Sequence, residues 1–212
     1  MSLPGLREGL RRYLTPGQLD RLRATRIGFA GAGGLGSNAA LMLARCGVED
    51  MLLVDGDVVD ASNLNRQQYW PRHLGLPKVE ALAGLLRELN PCLMVETRQL
   101  ELNSKNVDSI VSFCPVWVEA LDAPEAKAML VEAALAAGCH VASASGIAGF
   151  GGPDMQKRCL GRLMLVGDFT TDVAHAPPLA PRVTQASAML ADAVLSMLLA
   201  GNETDGDQQN SA

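Results

Sequence analysis

The chain has 212 residues, 48% of them hydrophobic and 19% charged, with a formal net charge of −5. That composition suits one large domain with a core of its own and excludes a disordered chain. The acidic balance, without any block of like charge, disfavours a nucleic-acid surface, and no apolar run reaches the roughly 18 residues of a membrane helix.

Leu6 to Arg23 mixes Leu and Arg around Pro16-Gly17 and predicts two short helices, an N-terminal extension over residues 1–25. Arg26 to Ala30 is a short apolar run with the pattern of a buried strand, and Gly31 follows it. Ser37 to Cys46 is rich in Ala and Leu and predicts a helix, before a second strand over Met51 to Asp55. A polar connection from Gly56 to Gly75 leads into a helix over Lys78 to Leu89. Strands follow at Met94–Thr97, Val116–Ala120 and His140–Ala144, separated by helices over Asn106–Ser112 and Pro124–Ala137. Beyond Gly146 come a glycine-rich loop, a strand over Arg162–Val166 expected to be antiparallel at a sheet edge, and a last helix over Val183–Ala200. The fold class is therefore α/β, a Rossmann-like, mostly parallel sheet with helices on both faces and an antiparallel edge after residue 150. A single domain over 26–201 and a disordered tail over 202–212 complete the expected organisation.

Gly31-Ala32-Gly33-Gly34-Leu35-Gly36 fits G-x-G-x-x-G between a strand and a helix, where backbone N–H groups and the helix dipole receive phosphate. Asp55 ends the next strand, at the distance of a ribose-binding carboxylate. These features alone allow a nicotinamide cofactor. Arg66 and Lys78 argue for ATP instead, because two cations near a phosphate loop suit a triphosphate whose bond to phosphorus breaks.

With Gly31–Ser37, the run Val54-Asp55-Gly56-Asp57-Val58-Val59, the block Ser62-Asn63-Leu64-Asn65-Arg66-Gln67 and Gly75-Leu76-Pro77-Lys78-Val79-Glu80, the sequence resembles the ThiF/MoeB/HesA family, relatives of the ubiquitin-activating enzymes. The resemblance implies an adenylyltransferase that activates the C-terminal glycine of a ubiquitin-like sulfur carrier, uses MgATP and releases pyrophosphate. It implies that Gly31, Gly33, Gly34 and Gly36 cradle phosphate and that Asp55 binds ribose. Asp57, Ser62, Asn63, Asn65, Arg66, Gln67 and Lys78 complete the implied nucleotide site; Arg66, Lys78 and Asp122 would be catalytic, with Asp122 holding magnesium. Read from the residues alone, Asp122 could equally cap the helix that opens near Pro124. Gly167-Asp168-Phe169 and Ala180-Pro181-Arg182-Val183 look like the compact ThiF-type members, which serve the carrier ThiS in thiamine thiazole synthesis. The family also implies a homodimer in which an N-terminal arginine (Arg7, Arg11 or Arg12) reaches the partner's ATP. Related carboxylate activations, for a molybdopterin carrier or in tRNA modification, and a non-catalytic nucleotide-binding module are the alternatives.

The sequence departs from the family in lacking paired CxxC motifs, so no zinc is expected. Ala123 stands where larger members carry Asn, and Gly56 where a bulkier residue is common. The odd cysteine count and the lack of a secretory leader suggest reduced thiols and a cytoplasmic location. Cys159 lies where sulfur-transfer relatives place a reactive cysteine; its commoner role is that of a small buried hydrophobe.

Overall fold

The computed structural model describes residues 5–200, so the tail expected over 202–212 lies outside the described residues. Two short helices open it, α1 (Leu6–Leu10) and α2 (Pro16–Ala24). Pro16 occupies the first turn of α2 rather than a break between helices. Thr15 caps that turn by accepting from the Gln18 N–H at 3.3 Å, while Gln18 accepts from the Thr15 N–H at 2.9 Å.

Strands β1 (Ile27–Ala30), β2 (Asp50–Val54), β3 (Met94–Arg98), β4 (Val116–Glu119) and β5 (His140–Ala144) are all parallel, in the order β3-β2-β1-β4-β5. The short apolar runs of β1, β2 and β4 suit strands covered on both faces, whereas β3, at the sheet edge, is polar and half-exposed. Helices α3 (Gly34–Arg45), α4 (Lys78–Leu89) and α7 (Ala180–Leu199) share one core with the sheet, through Leu43, Leu82, Val183 and Leu190. On the opposite face α5 (Val107–Val111) and α6 (Pro124–Ala136), the latter through Leu130, pack on Trp117 and Val141. Gly28 pairs with Trp117 across the sheet, and a β-carbon there would stand 2.6 Å from the indole. The missing side chain is what lets the largest core residue lie flat on β1.

The far edge of the sheet differs from the sequence expectation. β7 (Leu163–Gly167) runs parallel to β5; the antiparallel strand is β6 (Gln156–Leu160), in register with β7 through Cys159 and Met164. The sequence pattern predicts no strand over β6 because every residue in it is exposed, so no apolar period marks it. The sheet is thus seven-stranded, mostly parallel, with one antiparallel edge strand after residue 150. No helix among the described residues is long and apolar enough to cross a membrane.

Strand order reverses between β1 and β4, whose following loops diverge at the carboxyl edge of the sheet. Open α/β sheets hold ligands in that crevice. Gly31 and Asp122 flank it.

Candidate active site

The glycine loop is shaped by close backbone approach. Gly31 has φ +99°, and a β-carbon on it would lie 2.4 Å from the Ala120 carbonyl oxygen. A β-carbon on Gly36 would lie 1.9 Å from the Gly31 oxygen, so the third glycine lets α3 begin directly against the loop. Gly33 differs: the nearest atom to its absent β-carbon is Gln67 Nε2, at 3.7 Å. Two glycines are thus dictated by the fold, and Gly33 keeps a face open.

Asp55 is fastened beside this loop. Its Oδ2 accepts from the Ala32 N–H at 2.7 Å and its Oδ1 from the Asp57 N–H at 2.8 Å. Burial nevertheless raises its pKa above the ordinary carboxylate value, because desolvation outweighs these two donors and the Lys78 charge. Tyr69, which the sequence reading passed over, donates its hydroxyl to the Ala32 carbonyl at 2.6 Å and lies 3.2 Å from the Lys78 carbonyl. Burial, assisted by the Asp55 charge, pushes that phenol's pKa far up, so it stays a donor. Lys78 opens α4 almost fully buried, and its Nζ reaches Asp57 Oδ2 at 2.7 Å. A buried lysine needs a partner, and Asp57, itself largely exposed, supplies it.

The polar block after β2 serves mostly to build the wall. Asp60 caps a short 3₁₀ turn over Ala61–Asn63, accepting from the Ser62 N–H at 2.8 Å while Asn63 Oδ1 accepts from the Asp60 N–H at 3.0 Å. Asn65 donates to the Pro178 carbonyl at 3.3 Å and accepts from Arg66 at 2.8 Å. Asn38, inside α3, donates to the carbonyls of Gly34 at 2.7 Å and Arg66 at 3.0 Å, which ties the block to the glycine helix. Gln67 is buried behind Gly33, its Oε1 without a hydrogen-bond partner among the described residues.

Two cavities meet at the loop after β4. The first, of about 480 Å³, is lined among others by Gly31, Gly33, Asp55, Asp57, Lys78 and Asp122. The second, of about 600 Å³, is lined among others by Gly34, Arg66, Asp122, Ile147, Phe169 and Val183. Arg66 therefore faces the second cavity and not the first, while Asp122 stands on the wall common to both. Gly36, Ser62, Asn63, Asn65 and Gln67 line neither; their roles here are in the turn and the packing behind it.

Asp122 does not cap α6. The N-cap position belongs to Ala123, and the Asp122 carboxylate is exposed with no hydrogen bond among the described residues. One unengaged carboxylate on the wall of both cavities is a donor of the kind Mg²⁺ takes, since that ion binds through one or two protein carboxylates and completes its shell with phosphate oxygens and water. The loop that carries it is fixed from below by Glu119, fully buried at the end of β4. Glu119 accepts from the Leu121 N–H at 2.7 Å, from Ser143 Oγ at 2.6 Å and from Lys127 Nζ at 2.9 and 3.1 Å. The sequence reading missed this network, although a carboxylate ending an apolar strand eight residues before a lysine was a usable signal.

The remaining candidates lie elsewhere. Cys159 is exposed on β6, outside both cavities, so it is neither a buried hydrophobe nor part of this site. Arg7 pairs with Glu49 and Arg11 with Glu8, while Arg12 forms no ion pair among the described residues. No group of three or more His, Cys, Asp or Glu side chains gathers among the described residues.

Comparison with known proteins bears on this arrangement. The sequence model of the ThiF family matches residues 8–204. The chain is 36% identical over 131 residues to the adenylyltransferase and sulfurtransferase UBA4 of Yarrowia lipolytica, a match covering 62% of this chain and 33% of that protein. It is 41% identical over 103 residues to the SAMP-activating enzyme E1 of Haloferax volcanii, covering 48% and 38%. The chain thus spans only about a third of the length of these curated relatives. Among solved structures, the tRNA N6-threonylcarbamoyladenosine dehydratase TcdA of E. coli, in complex with ATP, superposes with a TM-score of 0.82. That match has 23% identity and covers 93% of this chain and 95% of the other, a likeness of fold.

Proposed function

The chain belongs to the ThiF family, and from that premise we propose that it adenylates the C-terminal carboxylate of a ubiquitin-like protein ending in Gly-Gly. The observation that carries the reading is the position of Asp122 between a nucleotide-sized cavity and a second, partly apolar one. In this reading the first cavity takes ATP, with ribose at Asp55 and phosphates over Gly33 and beside Lys78. The second takes the carrier's extended tail. A carboxylate oxygen of the tail attacks the α-phosphorus, the bond to the bridging oxygen breaks, and pyrophosphate leaves as the acyl-adenylate forms.

The attacking carboxylate is already a nucleophile, so the chain needs no activated serine or cysteine. Its contribution is alignment and charge: Lys78 from the nucleotide side, Arg66 from the tail side, and Asp122 at the seam. Asp122 would hold magnesium, which when bound would supply further charge neutralisation. Within the family, the phrases around Asp168 and Arg182 favour the compact ThiF-type members; the carrier would then be ThiS-like, in thiamine thiazole synthesis, with the enzyme a homodimer. The adenylyltransferase and sulfurtransferase UBA4 and the SAMP-activating enzyme E1 support the adenylation reading as relatives.

The test is isotope exchange between pyrophosphate and ATP with the purified chain and MgATP. Exchange that requires a Gly-Gly-ended carrier supports the reading. Exchange driven by small carboxylates alone replaces the carrier with another acyl substrate, and absence of exchange with any carrier tried overturns it.

A further inference from the structure

Next to the walls of the second cavity lies a buried ion pair, Arg182 with Asp168, that lines neither cavity. Arg182 lies in the first turn of α7, only 8% exposed. A cation there opposes the helix dipole, and burial adds to its cost, so its surroundings must compensate. Arg182 donates to Asp168 through Nη2 and to the Pro153 carbonyl at 3.2 Å through both terminal nitrogens. The Asp168 carboxylate is fully buried and saturated. Its Oδ1 accepts from the N–H groups of Thr170 and Thr171, each at 2.7 Å, and Thr171 Oγ1 donates to its Oδ2 at 2.7 Å. The same Thr171 hydroxyl oxygen accepts from the Ala148 N–H at 3.2 Å. One hub therefore joins the glycine-rich loop at Ala148 and Pro153, the turn after β7 and the start of α7.

Phe169 sits between Asp168 and Thr170 at φ +60°, the one non-glycine residue with positive φ among the described residues. A bulky side chain keeps that conformation only where its neighbours over-determine it. Here Asp168 fixes the backbone on the C-terminal side, and Arg158 stacks over the ring at 3.9 Å. Gly146 completes the fit, since a β-carbon there would lie 2.3 Å from Asp168 Oδ1. Phe169, Thr170, Thr171, Gly146 and Ile147 are all walls of the second cavity, and none lines the first.

We propose that Arg182 and Asp168 are positioning residues that latch Phe169 into its left-handed conformation and so set recognition of the acyl substrate, independently of the nucleotide. The reading of the second cavity as the tail site is the premise. The latch itself is a statement about the loops and can be tested without it.

Asp168→Asn, which keeps shape and removes charge, and Arg158→Ala, which uncaps the ring from the exposed side, are the informative variants. Hydrogen exchange should show faster exchange at the amides of Ala148, Thr170 and Thr171 in Asp168→Asn, with Ala32 and Asp57 unchanged. In pyrophosphate exchange with a Gly-Gly-ended carrier, Asp168→Asn should raise the KM for carrier at least tenfold and leave the KM for ATP within twofold. Arg158→Ala should raise the carrier KM about threefold with the same selectivity, and it is the variant to rely on if Asp168→Asn does not fold. Unchanged amide exchange at those three positions overturns the latch. Equal increases in both KM values reduce the pair to general stability and overturn the selectivity. An inactive wild type counts against the adenylation reading alone, because the amide-exchange comparison still decides the latch.

Discussion

The two cavities are built by opposite means. On the nucleotide side, backbone does the shaping: Gly31 and Gly36 are required by contacts with carbonyl oxygens, and Asp55 is held by two N–H groups close to it in space and motif. On the proposed acyl side, buried side-chain pairs do it, Glu119 with Lys127 and Asp168 with Arg182. The two aspartates show the contrast in their chemistry. Burial wins at Asp55 and raises its pKa. At Asp168 burial also works against the charge, but the N–H and hydroxyl donors of Thr171 and Thr170 prevail and hold it well below the ordinary carboxylate range. A surface that must meet an invariant polyphosphate can be made of backbone. A surface that must fit one acyl partner is made of side chains, which can change.

The largest effect is expected at the seam between the two. Asp122→Ala should lower the exchange rate about 10²- to 10³-fold, the scale of losing one charge-stabilising group, with the melting temperature unchanged because the carboxylate bonds to nothing among the described residues. A large loss of stability would mean that the seam is structural.

Next come the glycines, as a pair. Gly36→Ala forces a β-carbon against the Gly31 oxygen and should cost about 3 kcal/mol in urea unfolding. Gly33→Ala meets no close neighbour, so its cost should stay below about 1 kcal/mol while calorimetry shows weakened ATP binding. If both variants lose only stability, the open face of Gly33 is not a phosphate seat.

Lys127→Met strips the cation from fully buried Glu119 and should destabilise by about 3 kcal/mol. Lys127→Arg should restore most of that. A neutral Lys127→Met would show the acyl side to be less dependent on charge pairs than the geometry implies.

The smallest effects are in pH dependence, and they have opposite signs. Asp168 has a lowered folded pKa, so its stabilisation is present above the unfolded value of about 3.9 and is lost as pH falls through the folded one. Asp55 has a raised folded pKa, so its contribution is full below about 3.9 and is lost as pH rises through the folded value. Urea unfolding across acid and neutral pH should therefore find the acid limb flattened in Asp168→Asn. In Asp55→Asn the decline above that carboxylate range should be flattened instead. The same response in both variants would erase the contrast.

The contrast also explains what could be read from the sequence. The glycine loop, Asp55 and Lys78 are contiguous motifs on a strand–loop–helix pattern, so their shared cavity was legible. Strands β1, β2 and β4 carry apolar runs that mark them, whereas exposed β6 carries none, which left the antiparallel partner assigned to the wrong segment. Ser62, Asn63, Asn65 and Gln67 were recognisable as a block, but the hydrogen bonds that turn them into a wall span Asp60, Asn38 and Pro178. Tyr69 depends on tertiary contacts that no local pattern encodes, whereas Glu119, ending an apolar strand eight residues before Lys127, left a signal. Arg182 did leave a trace, a cation in the first turn of an apolar helix, where the dipole disfavours it.

The most direct test is mass spectrometry of a Gly-Gly-ended carrier after incubation with the wild-type chain and MgATP, with pyrophosphatase present to prevent reversal. An AMP adduct on the carrier's C-terminal glycine, absent with Asp122→Ala, is the expected result. ATP turnover by the wild type with the carrier left unmodified would contradict it.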